Sequence, residues 1–261
     1  MCTLIILHRC VPDFPVVVAA NRDEYLDRPA EPPRLRATPD GPIVAPRDLR
    51  AGGTWLGASA AGLFVGITNR PIAAPDPARR SRGHVVIDAL RAPDATEAAR
   101  RAAALPHGVH NPFNLLVADR ERAFTVVYDE RPEVSELQSG AHVIGNADPD
   151  DREVPKVARL LDRAEAAAEL DGEHVVPALA AICRRHEGAA FGREDACLHL
   201  AGYGTRSSAL LRLGDRRGSD QLWYADGPPC ANRYEDFTSL LHELGPGARF
   251  DAGDAAARAP R

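Results

Sequence analysis

Cys2 carries the most chemistry in the chain because it follows Met1 directly. Removal of an initiator methionine would leave one residue holding both a thiol and a free α-amine. The amine titrates near ~8 and the thiol near ~8.5, so the nucleophile would carry its own base, an arrangement suited to acyl transfer. Alone, Cys2 reads more simply as a small apolar residue opening a buried strand. A second group, Asn21-Arg22-Asp23-Glu24, places four polar residues straight after Val16-Val17-Val18-Ala19-Ala20. A carboxylate there could hold the α-amine and a guanidinium could favour the thiolate; in isolation the same run is a solvated turn. Asn69, Asn114 and Asn146 each stand at an expected strand end. An amide so placed is a neutral donor for a tetrahedral oxyanion, although a turn residue is the commoner reading. Asn146, between a strand and a helix, is the leading oxyanion donor.

The elements that would position these groups follow from periodicity. Residues 2–8 and 14–20 are β-branched runs forming a buried hairpin, whose antiparallel pairing brings Arg22 and Asp23 beside Cys2. Pro29, Pro32, Pro33, Pro39, Pro42 and Pro46 forbid a helix across 29–50 and suggest a long surface excursion. A second hairpin is expected at 53–59 and 62–69, then helices at 83–91 and 96–105 and strands at 113–118, 123–128 and 141–145. Asp150-x-x-Glu153 has the form of a capping box, predicting a helix from about 151 to 170. A helix at about 174–186 and strands near 207–213 and 221–225 complete a domain over 1–244. Residues 245–261 lack a core-forming pattern and read as a flexible tail. This order lacks strand-helix alternation, so the fold class is α+β with antiparallel sheets and segregated helices.

Composition narrows the function. The 261 residues carry 32 Lys+Arg against 37 Asp+Glu, a net charge of -5, which argues against nucleic acid as a partner. The apolar run Val175 to Cys183 is far shorter than the roughly 18 residues of a membrane span, and the first residues lack a signal-peptide pattern. Five cysteines without a Cys-x-x-Cys pair suit a reducing compartment, and the cytoplasm is expected. Cys183-x-x-His186, Cys197-x-His199 and His107-x-x-His110 offer pairs but no fourfold set at zinc-like spacing, so no metal and no cofactor is expected. His8 or His199 stays open as a haem ligand, since a lone axial residue has no sequence signature. Gly202 to Ser207 leads into an apolar strand and lacks a lysine, which removes a phosphate-binding loop.

Met1-Cys2-Thr3, Asn21-Arg22-Asp23-Glu24, Gly52-Gly53-Thr54-Trp55-Leu56-Gly57, Thr68-Asn69-Arg70, Phe113-Asn114-Leu115, Gly145-Asn146 and Tyr203-Gly204-Thr205-Arg206-Ser207 together resemble the NRDE family, also called the transport and Golgi organisation protein family. The resemblance covers residues 1 to about 212. It implies the αββα sandwich of N-terminal nucleophile hydrolases, distantly similar to bile-salt hydrolases and penicillin V acylases. It further implies Cys2 as nucleophile and base, Asp23 as holder of the α-amine, Arg22 as electrostatic support, Asn146 with Asn69 as oxyanion donors, and Arg206 as a late site arginine. Arg22 and Asp23 are adjacent here, whereas the acylase pattern separates them by two residues. Asn21, Trp55, Asn114, Tyr203 and Ser207, within the same motifs, are the expected substrate contacts. The activity implied is hydrolysis or transfer of an acyl group from a small acyl-amide or lipid-like substrate. The alternative is a non-catalytic protein using the same pocket for haem or acyl-CoA.

Overall fold

The computed structural model describes residues 2–129, 131–186, 196–216 and 218–244. Strands β1 (Cys2–Val11) and β2 (Phe14–Tyr25) form the expected hairpin, with Cys2 opposite Arg22 and His8 opposite Val16. The chain then builds β3 (Ala30–Arg36), β4 (Ile43–Asp48), β5 (Leu56–Ser59) and β6 (Phe64–Asn69), followed by helices α1 (Gly83–Leu90) and α2 (Ala95–Ala103). Strands β7 (Phe113–Ala118), β8 (Ala123–Tyr128), β9 (Pro132–Leu137) and β10 (Gly140–Ile144) come next. Helices α3 (Pro155–Ala168) and α4 (Val175–Cys183) precede β11 (His199–Leu200), β12 (Tyr203–Leu213), β13 (Gln221–Ala225), β14 (Glu235–Asp236) and α5 (Thr238–His242).

These strands make two antiparallel sheets. The first runs β10-β1-β2-β12-β13-β14 with β11 on β12, and the second runs β3 through β9 in chain order. Side chains alternate across a strand, so β1 and β2 serve two cores at once. Leu4, Ile6, Val16, Val18 and Ala20 pack towards the second sheet, while Ile5, Leu7, Val17 and Ala19 pack against Val157, Leu160 and Leu179 of α3 and α4. Helices α1 and α2 cover the far face of the second sheet through Val86, Leu90, Ala95 and Ala98. The result is the α+β architecture of four layers, helices outside two stacked sheets. No helix among the described residues is long and apolar enough to cross a membrane.

Two expectations need correction, and one strand, β9, was not foreseen. Residues 29–50 are two strands of the second sheet rather than a surface excursion. Pro32 and Pro33 are accommodated because β3 is an edge strand whose register shifts between Glu31 and Arg34, where fewer ladder N–H groups are needed. Strand β9 has no apolar alternation because it is the opposite edge, with Glu133, Val134, Ser135 and Glu136 exposed. The capping box at Asp150 does not form. Helix α3 starts at Pro155 behind Val154, which makes no side-chain cap. Asp150 lies at φ 60 and instead closes the end of β10, accepting from Val143 N at 2.7 Å and bonding His142 Nδ1 at 2.6 Å. The expected tail at 245–261 lies outside the described residues.

Candidate active site

Cys2, Arg22 and Ser207 lie side by side across β1, β2 and β12, in register and on the face turned to the second sheet. The parity that sends Leu4 and Ala20 towards that sheet sends Cys2 and Arg22 there too. Across the gap, the Arg22 guanidinium stacks 4.2 Å from the Trp55 ring and reaches Asp48 Oδ2 at 3.2 Å. Asp48 is further held by Arg28 at 2.7 Å and by the N–H groups of Arg50 and Ala51. Arg22 is only 4% exposed, and among the described residues its Nη1 has no hydrogen-bond partner.

Cys2 and Arg22 floor a cavity of about 440 Å³ between the ends of the two sheets. Its wall carries Arg22, Arg28, Arg50, Arg79, Arg80 and Arg82 against Glu24, Asp48 and Asp76, an excess of three positive charges. The far rim is set by a backbone crossing. A Cβ on Gly53 would lie 2.6 Å from the Gly83 carbonyl carbon, so both glycines are needed where the Trp55 segment passes the start of α1. Arg82, next to that crossing, donates to Pro112 O at 3.1 Å. Burial pulls its pKa down, opposed by the nearby Cys2 and Glu24. Arg82 and Asp48 are not among the residues singled out from sequence. The basic run Arg79-Arg80-Ser81-Arg82 before a helix was the available signal.

Burial pushes the Cys2 thiol above its usual range, against the pull of an Asp23 main-chain hydrogen bond and the Arg22 charge. A thiol in this setting needs a base. Asp23 follows Arg22 and so points to the other face, towards α3 and α4. Thr205 Oγ1 donates to Asp23 Oδ1 at 2.6 Å and Tyr203 Oη donates to Asp23 O at 2.9 Å. Burial raises the Asp23 carboxyl to about 6 despite the Lys156 charge and the Thr205 bond. The β12 register shifts between Thr205 and Ser207, which lets Thr205 meet Asp23 on one face and Ser207 meet Arg22 on the other.

Of the residues singled out from sequence, Cys2, Arg22, Trp55 and Asn69 line the cavity. Asn146 sits behind Asn69 and donates through Nδ2 to the Asn69 carbonyl; its own cavity is a neighbouring one of about 260 Å³ beside Thr3 and Lys156. Asn114 holds the turn after β10 by donating to Gly145 O at 3.1 Å and Ala147 O at 2.7 Å. Asn21 faces the helices and donates to Cys183 O and Ala196 O. Tyr203 stacks edge-on with Tyr25, and Arg206, at the β12 bulge, pairs with Asp226 at 2.6 Å. None of these five lines the Cys2 cavity among the described residues, nor do Asp23 and Ser207. His8 is buried against Asp119 O at 3.3 Å, six residues along β1 from Cys2. The expected absence of a fourfold cysteine and histidine set does not hold in space, because His186, Cys197, His199 and Cys230 converge.

Four layers, helices outside two stacked antiparallel sheets, are the fold of the N-terminal nucleophile hydrolases. The chain superposes on penicillin V acylase from Agrobacterium tumefaciens with a TM-score of 0.58 at 14% identity, covering 92% of this chain and 88% of the acylase. For the C2A mutant of conjugated bile acid hydrolase from Clostridium perfringens the TM-score is 0.57 at 12% identity, covering 93% and 94%. For the Caenorhabditis elegans N-acylethanolamine-hydrolyzing acid amidase ortholog it is 0.54 at 14% identity, covering 80% and 92%. The chain belongs to the Transport and Golgi organisation 2 family, whose sequence model matches residues 1–219. It is 28% identical over 228 residues to the bovine homolog of that name, covering 76% of this chain and 82% of the relative. The match to the mouse homolog is 29% over 143 residues and spans about half of each chain, 51%.

Proposed function

We propose that the protein is an N-terminal cysteine amidohydrolase acting on a small acyl amide that carries an anionic group. The observation that carries this reading is Cys2 at the floor of an arginine-rich cavity that Arg22, its cross-strand neighbour, also lines. The fold shared with acylases and amidases supports amide cleavage over other acyl chemistry.

In this mechanism Met1 is lost, and the freed Cys2 amine takes the thiol proton. The thiolate adds to the acyl carbonyl, forming a C–S bond as the C=O electron pair moves to oxygen. Arg22 and the Asn69 amide stabilise that oxyanion, with Asn146 holding the Asn69 main chain. The Cys2 ammonium returns its proton to the leaving nitrogen as the C–N bond breaks, giving a thioester and a free amine. Water, deprotonated by the same amine, then cleaves the thioester and releases the acid. Asp23 supports the ammonium from the neighbouring residue of β2. The five thiols, all free, fit a reducing compartment such as the cytoplasm.

The test joins intact mass with turnover of an acyl-amide library. The expected result is a chain lacking Met1, labelled at Cys2 by a thiol-reactive amide analogue, with hydrolysis abolished in Cys2→Ala. Retention of Met1 in protein that still handles haem or acyl-CoA, equally in wild type and Cys2→Ala, would favour the non-catalytic alternative.

A further inference from the structure

Three separated chain segments bring two thiols and two imidazoles to one point outside the Cys2 cavity. His186 follows α4, Cys197 and His199 flank the start of β11, and Cys230 lies on the turn after β13. Their ligand atoms all lie within 4.8 Å of one another. Cys197 Sγ is 3.6 Å from Cys230 Sγ and 3.6 Å from His199 Nε2, while His199 Nε2 is 3.2 Å from Cys230 Sγ. The His186 and His199 rings are 5.0 Å apart.

We propose that these four residues form a closed structural Zn2+ site. Zinc binds sulfur at about 2.3 Å and imidazole nitrogen at about 2.0 Å, so tetrahedral geometry requires S–S near about 3.8 Å and S–N near about 3.5 Å. The three separations among Cys197, His199 and Cys230 agree with these to within a few tenths of an ångström, and His186 completes the set within 4.8 Å. A disulfide requires sulfurs about 2.05 Å apart, far closer than the 3.6 Å found. Two thiolates and two imidazoles are the donor set that zinc prefers, and two thiolate charges neutralise the ion as their protons leave to solvent. With four protein ligands no position stays open, which separates this site from the hydrolytic chemistry.

The surrounding bonds hold the segments in place for that role. Asn21 donates to Cys183 O at 2.9 Å and to Ala196 O at 2.8 Å, Cys197 N donates to Arg185 O at 3.1 Å, and Arg184 Nε donates to Pro229 O at 3.1 Å. Every ligand-bearing segment is thus tied to another by a bond independent of the metal. Leu198, between two ligands, donates its N–H to Thr205 Oγ1 at 2.8 Å. The site therefore braces the strand that carries Thr205 to Asp23.

The experiment measures metal content of the reduced, chelator-free protein by mass spectrometry, then titrates stripped protein with Co2+ and Zn2+. The expected result is about one zinc per chain and visible bands of tetrahedral thiolate-bound Co2+ that zinc abolishes. Cys230→Ser and His199→Ala should each weaken binding at least about tenfold, with circular dichroism unchanged because Cys230 is exposed. Cys10→Ser, a thiol outside the cluster, should leave binding intact. Stripped protein that takes up no zinc, zinc content unaffected by Cys230→Ser, or a mass lower by two hydrogens from a Cys197–Cys230 disulfide in the reduced preparation would each overturn the assignment.

Discussion

Thr205 gives its hydroxyl proton to Asp23 at 2.6 Å and accepts the Leu198 N–H at 2.8 Å, so one side chain joins β2 to the segment ahead of β11. Thr205→Val should remove both bonds and strand two buried groups, at a cost of about 2–4 kcal/mol. Thr205→Ser should restore most of that. Denaturant unfolding of the pair checks it, and equal stability of the two variants would show that the hydroxyl is idle.

Asp23 has a folded pKa of about 6, raised mainly by burial from an ordinary carboxylate value of 3.8. The folded state therefore binds more protons than the unfolded chain between these values. Stability should be greater below about 4 and decline as pH rises to about 6 and beyond, by on the order of 3 kcal/mol. Asp23→Asn should be more stable than wild type at neutral pH, with the gap closing in acid, while losing most turnover. Melting curves across pH 4 to 8 read the first effect and acyl-amide hydrolysis the second.

Gly53→Ala should disturb the crossing with Gly83, where the new carbon would meet backbone at 2.6 Å. Overpacking of this kind costs about 1–3 kcal/mol, and displacement of α1 should also move Arg82. Gly108→Ala meets nothing within 4 Å but sits at φ +76, so it reports backbone strain alone. A larger fall in melting temperature for Gly53→Ala than for Gly108→Ala, with altered substrate affinity only in the former, is the expected outcome.

Arg82 lines the cavity opposite the Cys2 row. If it reads an anionic substrate group, Arg82→Met should raise KM for anionic acyl amides by about 10-fold or more, the value of one charge-assisted hydrogen bond. The kcat and the KM of neutral analogues should change little. A matched substrate pair differing by one carboxylate distinguishes the two.

Asp150 closes β10 through Val143 N and His142 while holding a positive φ. Burial alone would lower the His142 pKa, but the bonds to Asp150 and to Gln138 O outweigh it and the net shift is upward. The His142 contribution is therefore complete below the ordinary histidine value and lost as pH rises through the folded one. Asp150→Ala should cost about 1–3 kcal/mol, and Asp150→Asn less, because asparagine tolerates this conformation. The difference between wild type and Asp150→Ala should narrow at alkaline pH.

Much of the inner architecture was readable because buried strands announce themselves. Val16-Val17-Val18 admits little besides a strand covered on both faces, and pairing it with residues 2–8 brought Arg22 and Asp23 together beside Cys2, without saying which of them faces it. Edges were less legible. In β3 the prolines outweigh Leu35, and in β9 the solvent-facing glutamates erase the alternation, since neither edge is held by hydrophobic burial. Asp150-x-x-Glu153 misled because an aspartate satisfies a strand end as readily as a helix start. Local spacing showed Cys197-x-His199 as a pair but not its convergence with His186 and Cys230, because Cys230 lies 31 residues beyond His199 in sequence yet 3.2 Å away in space. Arg22 and Asp23, adjacent in the chain, serve opposite faces of a sheet, a separation that only strand parity conveys.

Strand β2 is paired on one side by its hairpin partner β1 and on the other by β12, whose residues follow about 180 positions later, as with Asp23 and Thr205. A ribosome must therefore deliver nearly the whole domain before the second edge of β2 is closed, since such distant pairing forms late. Until then the nascent hairpin offers an open, β-branched edge, a natural client for chaperones, and its cysteine lies in a half-built cleft. The row of Cys2, Arg22 and Ser207 is thus complete only once β12 has joined the hairpin.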